Sequence, residues 1–129
     1  MSVGESPREA AIAHKVILFR LNRYFRLGMN DEKVYEGTRG VWAIDQARAK
    51  NAQYALGVFD GVVRGVYSVD EWHEAGTTKY RFRAESEMNH PGRWEFTGRT
   101  APPEILERYL GKSVRKYMAG RGAFEYVNI

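Results

Sequence analysis

The chain has no cysteine, which excludes disulfides, thiolate metal centres and thiol nucleophiles. It has no apolar run near the roughly 18 residues that a membrane-spanning helix needs. Proline is scarce, at 4 of 129 residues, and the chain holds no internal repeat, low-complexity tract or Pro/Gly/Ser-rich linker. One domain is therefore expected over residues 11–129, with residues 1–10 as a flexible lead-in in which Ser6 and Pro7 could cap a short helix. The opening residues Met-Ser-Val-Gly-Glu-Ser-Pro show neither the basic start nor the apolar stretch of a secretion signal, so a cytoplasmic location is expected. No Gly-x-Ser-x-Gly turn exists, and the carboxylate pairs Glu85/Glu87 and Glu104/Glu107 have ordinary surface spacing. No catalytic set assembles, and no cofactor is implied.

Aromatic residues are plentiful: 3 Trp, 8 Tyr and 6 Phe, or 13% of the chain. With 43% hydrophobic and 28% charged residues, the composition is that of a folded domain. The formal net charge is +4 and the pI about 9.4. The distribution of charge says more than its sum. Residues 10–30 carry Lys15, Arg20, Arg23 and Arg26 and no acid; residues 108–122 carry Arg108, Lys112, Arg115, Lys116 and Arg121 and again no acid. Two such segments can be separate solvated faces, or can meet on one side of a small fold as an anion-attracting surface.

The clearest local pattern is Tyr54-Ala-Leu-Gly-Val-Phe, then Asp60-Gly61, then Val62-Val-Arg-Gly-Val-Tyr-Ser-Val. A two-residue Asp-Gly loop between β-rich runs predicts a type I′ hairpin, because both loop positions require positive φ. A regular ladder from that loop sets Phe59 opposite Val62, Val58 opposite Val63 and Gly57 opposite Arg64. Tyr54, Leu56, Val58, Val63, Tyr67 and Val69 then share a core face. Arg64 stands beside a missing side chain, which marks either a barrel bend or a close approach by a ligand. The apolar run from Lys15 to Leu21 predicts a buried strand. Residues 78–84 and 93–97 alternate aromatic with charged or polar side chains and predict two half-exposed antiparallel strands. Asp45 opens a short predicted helix, and residues 102–111, with a proline start and a glycine stop, predict another. Phe124-Glu-Tyr-Val predicts a closing strand. Five or six short strands with two or three short helices close most economically into a small mixed, mostly antiparallel α+β barrel.

Gly111-Lys112-Ser113 is similar to the end of a nucleotide phosphate loop, but that motif needs a glycine at 106, where this chain has Leu, and a helix start rather than a helix stop. A basic, hydroxyl-bearing turn at Lys112, Ser113, Arg115 and Lys116 can still hold a nucleic-acid phosphate. Asp70, Glu71 and His73 could assist a metal-dependent nuclease, or simply form a solvated loop. His14, His73 and His90 have no helical pair spacing, so no metal site is implied. In residues 35–42, Tyr35, Thr38, Arg39 and Trp42 surround Gly37 and Gly40, which would let the backbone turn tightly enough to present an arginine fork beside an indole. Such a pair can hydrogen-bond and stack on a planar base; equally, Trp42 can be core and Arg39 a surface partner of Glu36.

Residues 42–52, followed by the two hairpin runs, resemble the PUA-like group of small β-barrels that includes the PUA, ASCH, EVE and YTH domains. In EVE-like domains a Trp precedes a short polar helix bearing Gln, Ala, Arg and Asn that leads into a barrel strand. A further likeness is to uncharacterised bacterial proteins with the patterns Tyr-Glu-x-Thr-Arg-Gly-x-Trp and Tyr-x-Gly-Lys-Ser-Val, here residues 35–42 and 109–114. The PUA-like resemblance implies nucleic-acid binding, with modified-base recognition in the EVE and YTH branches. Trp42, Trp72 and Trp94 are the candidates for the aromatic cage those branches use. The expected function is a non-enzymatic RNA- or DNA-binding domain. Phosphates would sit on Lys112, Ser113, Arg115 and Lys116, and a flipped or modified base in a pocket of Tyr35, Thr38, Arg39, Trp42, Arg64, Trp72 and Trp94. The alternatives are a metal-assisted nuclease on the Asp70 cluster and a small-ligand sensor using the same pocket.

Overall fold

Strands buried on both faces read as unbroken apolar runs, and two of these form the centre of the sheet. The computed structural model describes residues 7–22 and 24–129; Ser6 of the expected cap and Arg23 of the first basic segment lie outside them. Strands β1 (Val16–Arg20) and β2 (Tyr54–Phe59) are parallel neighbours, with Val16 opposite Tyr54 and Arg20 opposite Val58. The hairpin carries the chain from β2 into β3 (Val62–Glu74), β4 (Trp94–Thr100) lies antiparallel to β3, and β5 (Phe124–Val127) antiparallel to β1. The spatial order is β4-β3-β2-β1-β5. Among the described residues four short helices accompany the sheet: α1 (Asp31–Arg39), α2 (Gln46–Ala49), α3 (Glu85–Met88) and α4 (Pro103–Tyr109), with a 3-10 turn at Arg115–Tyr117.

The fold is thus α+β and mostly antiparallel, as expected, but the sheet is open where a closed barrel was expected. It is nonetheless curled. Phe19 on β1 and Phe96 on β4 sit three strands apart, about 14 Å across a flat sheet at roughly 4.8 Å per strand, yet their ring centroids are 6.4 Å apart. Closure fails because β4 takes a different partner on its outer edge. Trp42 and Trp94 exchange backbone bonds of 2.9 Å in each direction, and three residues on, the Asp45 amide donates to Tyr126 Oη of β5 at 2.8 Å. Residues 42–45 therefore span the gap between β4 and β5.

One core fills each side of the sheet. On one, Val16, Leu18, Leu56, Val58, Val63 and Val66 pack under α4, whose Tyr109 is fully buried. On the concave side, Ile17, Phe19, Ala55, Tyr67, Trp72 and Phe96 pack beneath α1 and residues 42–52. The hairpin turn is as expected, with positive φ at Asp60 and Gly61, and Phe59 and Val58 face Val62 and Val63. Beyond that the regular ladder breaks: Gly57 faces Gly65, not Arg64. The extra residue of this bulge turns the rest of β3 over, since a one-residue slip exchanges faces. Val66 therefore joins the α4 side, whereas Tyr67 and Val69 join the concave side, away from Leu56 and Val58.

The expected strand over residues 78–84 does not form. Side chains supply its hydrogen bonds instead of a neighbouring strand. Glu95 accepts the Thr78 amide (2.9 Å), and Glu36 accepts those of Arg81 (2.6 Å) and Phe82 (2.8 Å). The segment is a strap laid over α1. Helix α1 itself lies where a glycine-turned pocket was expected. Asn30 caps it through Lys33 N–H at 2.9 Å, and Asp31 and Glu32 sit in its first turn, where acids complement the helix dipole. Gly37 stands within the helix, and Gly57 on β2 is bare because a β-carbon there would overlap Thr38 Oγ1 of α1.

Candidate functional site

The side chains expected to form one base pocket fall into three groups. Tyr35, Thr38, Arg39 and Trp72 are framework residues. Tyr35 Oη donates to the Gly98 carbonyl (3.1 Å) and accepts the Gly98 amide (2.9 Å). Thr38, fully buried, donates to Val34 O at 2.8 Å. Arg39, only 4% exposed, spends its guanidinium on Thr78 Oγ1 (2.8 Å), Lys79 O (2.6 Å) and Phe96 O (3.2 Å). It lies 4.0 Å from the buried Glu95 carboxylate and stacks 3.8 Å from the Tyr80 ring. Trp72 is packed edge-on against Phe96 at 5.3 Å. Arg64 forms a separate contact, half-buried over Phe25 and Phe59 with its guanidinium on Phe59 O at 3.3 Å.

Trp42 and Trp94 remain at the surface of the concave side, half-buried, and each lines a cavity. The larger is a cleft of about 620 Å³ walled by the end of α1, the strap, the loop after α3 and residues 121–123. Gly40 and Val41, joined by a cis peptide bond, form part of its wall. Trp42 sits there with one face on Phe19, at a centroid distance of 4.6 Å, and its Nε1 on Thr38 O at 2.7 Å. Tyr24 is the second aromatic of the wall.

Positive charge dominates the cleft: Arg20, Arg83, Arg93 and Arg121 line it with His90, against a single acid, Glu87. Two of these arginines are committed to the fold. Arg20 donates to Gly120 O at 2.8 Å and to Gly122 O at 2.5 Å, holding the loop that leads into β5. Arg83 donates to Glu36 O at 2.9 Å and to Gly40 O, and lies over the Tyr24 ring at 4.9 Å. Arg93 and Arg121, both exposed, have guanidinium groups with no hydrogen bond or ion pair among the described residues. The two acid-free segments do converge here, one through Arg20 and the other through Arg121.

The expected phosphate turn is elsewhere. Gly111 ends α4 with φ +79°, Lys112 Nζ caps Glu107 O at 2.6 Å, and buried Ser113 exchanges backbone bonds with Arg8 and Ala10 (2.7 and 2.8 Å). Lys116 lies 3.8 Å from Glu9. Arg115 lines a cavity of about 360 Å³ that also holds Asp60. Of the Asp70 cluster, Asp70 is drawn away to Arg99 at 3.0 Å, whereas His73 stays 3.8 Å from the Glu71 carboxylate and bonds Thr97 Oγ1 at 2.9 Å. Among the described residues no three His, Cys, Asp or Glu side chains are placed to hold a metal ion, and no helix is long and apolar enough to cross a membrane.

The sequence pointed to Trp42 as a pocket residue and to Arg121 only as a member of a basic segment, and it did not single out Tyr24, Arg83 or Arg93 for the site. Tyr24, Arg83, Arg93 and Arg121 come from four separate stretches that share no motif, and only charge segregation at the two ends hinted at part of the set. No protein family matches the chain, and no curated protein or solved structure matches it.

Proposed function

We propose that this domain binds nucleic acid without catalysing a reaction, holding a base against Trp42 in the cleft and backbone phosphates on Arg93 and Arg121. The observation that carries the reading is the pair of unsatisfied arginines beside a half-buried indole. An arginine with no internal partner is free to form charge-assisted bonds to phosphate, and base stacking on an aromatic side chain is worth roughly 1–3 kcal/mol per base. A volume of about 620 Å³ is in the range of sites that enclose a small organic group. The PUA-like resemblance of residues 42–52 points the same way.

Fluorescence anisotropy with labelled single-stranded RNA and DNA tests this. Binding should weaken steeply as salt rises, because phosphate neutralisation releases counterions. Arg93→Ala with Arg121→Ala should weaken every sequence alike and reduce the slope of log K against log salt by about 1.4, at roughly 0.7 per phosphate on a single strand. Binding insensitive to salt and to this double change would place an uncharged small ligand in the cleft instead.

A further inference from the structure

The cleft has a neighbour on each side. A cavity of about 310 Å³ lined by Trp94, Glu74 and Asn89 shares His90 and Arg93 with it. The cavity of about 360 Å³ that holds Asp60 and Arg115 shares Arg20 and Asn22 with it. The cleft therefore adjoins both, with Arg93, unpaired among the described residues, at one junction and Arg20, its guanidinium held by the Gly120 and Gly122 carbonyls, at the other. A tryptophan stands in each of the first two, and an arginine closes the far end.

Resting on the nucleic-acid reading above, we propose that this row is a track for a single strand about three nucleotides long, one per cavity, and not a socket for one isolated base. A duplex keeps its bases stacked inside and offers phosphates at its surface, whereas an unpaired strand can lay successive bases on Trp94 and Trp42 while its phosphates pass Arg93 and Arg121 and reach Arg115. The third cavity is restrained by its own chain. Arg115 donates to Asp60 O at 2.6 Å and lies 3.4 Å from the Asp60 carboxylate. A phosphate arriving there competes with that carboxylate for Arg115.

This supplies a test that leaves the fold intact. Asp60 occupies the first position of a type I′ turn with φ 52°, where Asn-Gly serves as well as Asp-Gly, so Asp60→Asn removes the competing charge and keeps the hairpin. Affinities of the full chain and of Asp60→Asn would be measured by calorimetry for oligouridylate and oligothymidylate of one to six nucleotides, and for a duplex. The expected result is a gain of about tenfold for each of the first two nucleotides, which stack on tryptophan. The third, whose cavity is lined by Arg115 and by no aromatic side chain among the described residues, brings a smaller gain, and a plateau follows. Asp60→Asn should tighten trinucleotide binding several-fold and leave the mononucleotide unchanged. A plateau at one nucleotide with Asp60→Asn neutral overturns the track while the base-binding reading stands. A duplex bound as tightly as the single strand also overturns it, and the absence of binding at any length overturns both.

Discussion

Replacing Arg39 tests whether the polar layer between α1 and the strap is structural. Arg39 is 4% exposed and Glu95 is 0% exposed. Arg39→Ala leaves the buried Glu95 without its cation and strands two acceptors, Lys79 O and Phe96 O, while Thr78 Oγ1 keeps its own bond to Glu95. Removing one partner of a buried pair costs about 3–5 kcal/mol. Glu95 keeps the amides of Gly76 (2.7 Å) and Thr78 (2.9 Å), which holds the loss away from the top of that range, while the lost stack on Tyr80 adds to it. About 4 kcal/mol is expected, a large share of the roughly 5–15 kcal/mol that holds a domain together. At about 2.1 cal/mol/K of unfolding entropy per residue over 129 residues, that lowers Tm by about 15 °C. Arg39→Lys keeps the charge but not the planar fork, and should recover only part of the loss. Thermal melts followed by far-ultraviolet circular dichroism, with urea titrations to confirm an unchanged m-value, would measure both. An Arg39→Ala protein within about 1 kcal/mol of the parent would refute the structural role and return Arg39 to the list of recognition residues.

Gly98→Ala should be severe, because a β-carbon there would overlap the Ser68 carbonyl oxygen on β3 and backbone cannot step aside as a side chain can. A loss of more than about 2 kcal/mol is expected, and a urea midpoint matching the parent would contradict the β3–β4 register. Burial pushes the Tyr67 phenol well above its ordinary pKa near 10. The folded state then keeps a proton that the unfolded chain releases, so stability is level below about pH 10 and falls above it by up to about 1.4 kcal/mol per pH unit. Tyr67→Phe should flatten the fall in urea midpoint between pH 9 and 11; an unchanged slope would assign it to other groups, Tyr80 first among them.

Legibility followed from how directly backbone chemistry dictates a residue. The hairpin was readable because positive φ at both Asp60 and Gly61 leaves few residue choices. Strand β1 was readable because burial on both faces admits no polar position among Val16, Ile17, Leu18 and Phe19. Helix α1 was hidden by its buried face, which is Val34 with Glu36, Gly37, Thr38 and Arg39 and so lacks an apolar stripe, although Asn30 followed by two acids was a usable start signal. The strap misled for a related reason. Its alternation of Tyr80, Phe82 and arginines imitates a strand, but the carboxylates that satisfy its amides, Glu36 and Glu95, come from elsewhere in the chain. Nothing local announces such a pairing. The bulge at Arg64 was equally silent, since one extra residue changes no composition. Of the cleft, Trp42 was legible, whereas Arg83 and Arg93 gain their meaning only from the strap and the loop that carry them.

The pairing of β1 with β5 has a kinetic side. Val16 pairs with Val127, so this edge of β1 stays open until the last strand arrives. Such distant pairings slow folding, because the loop must close before the contact rewards it. During that interval Val-Ile-Leu-Phe is an uncharged, β-prone edge of the kind that recruits a second chain. Lys15 and Arg20 bracket it as gatekeepers. Arg20 then acts a second time, for its guanidinium grips the Gly120 and Gly122 carbonyls and so guides in the very strand that seals the exposed edge.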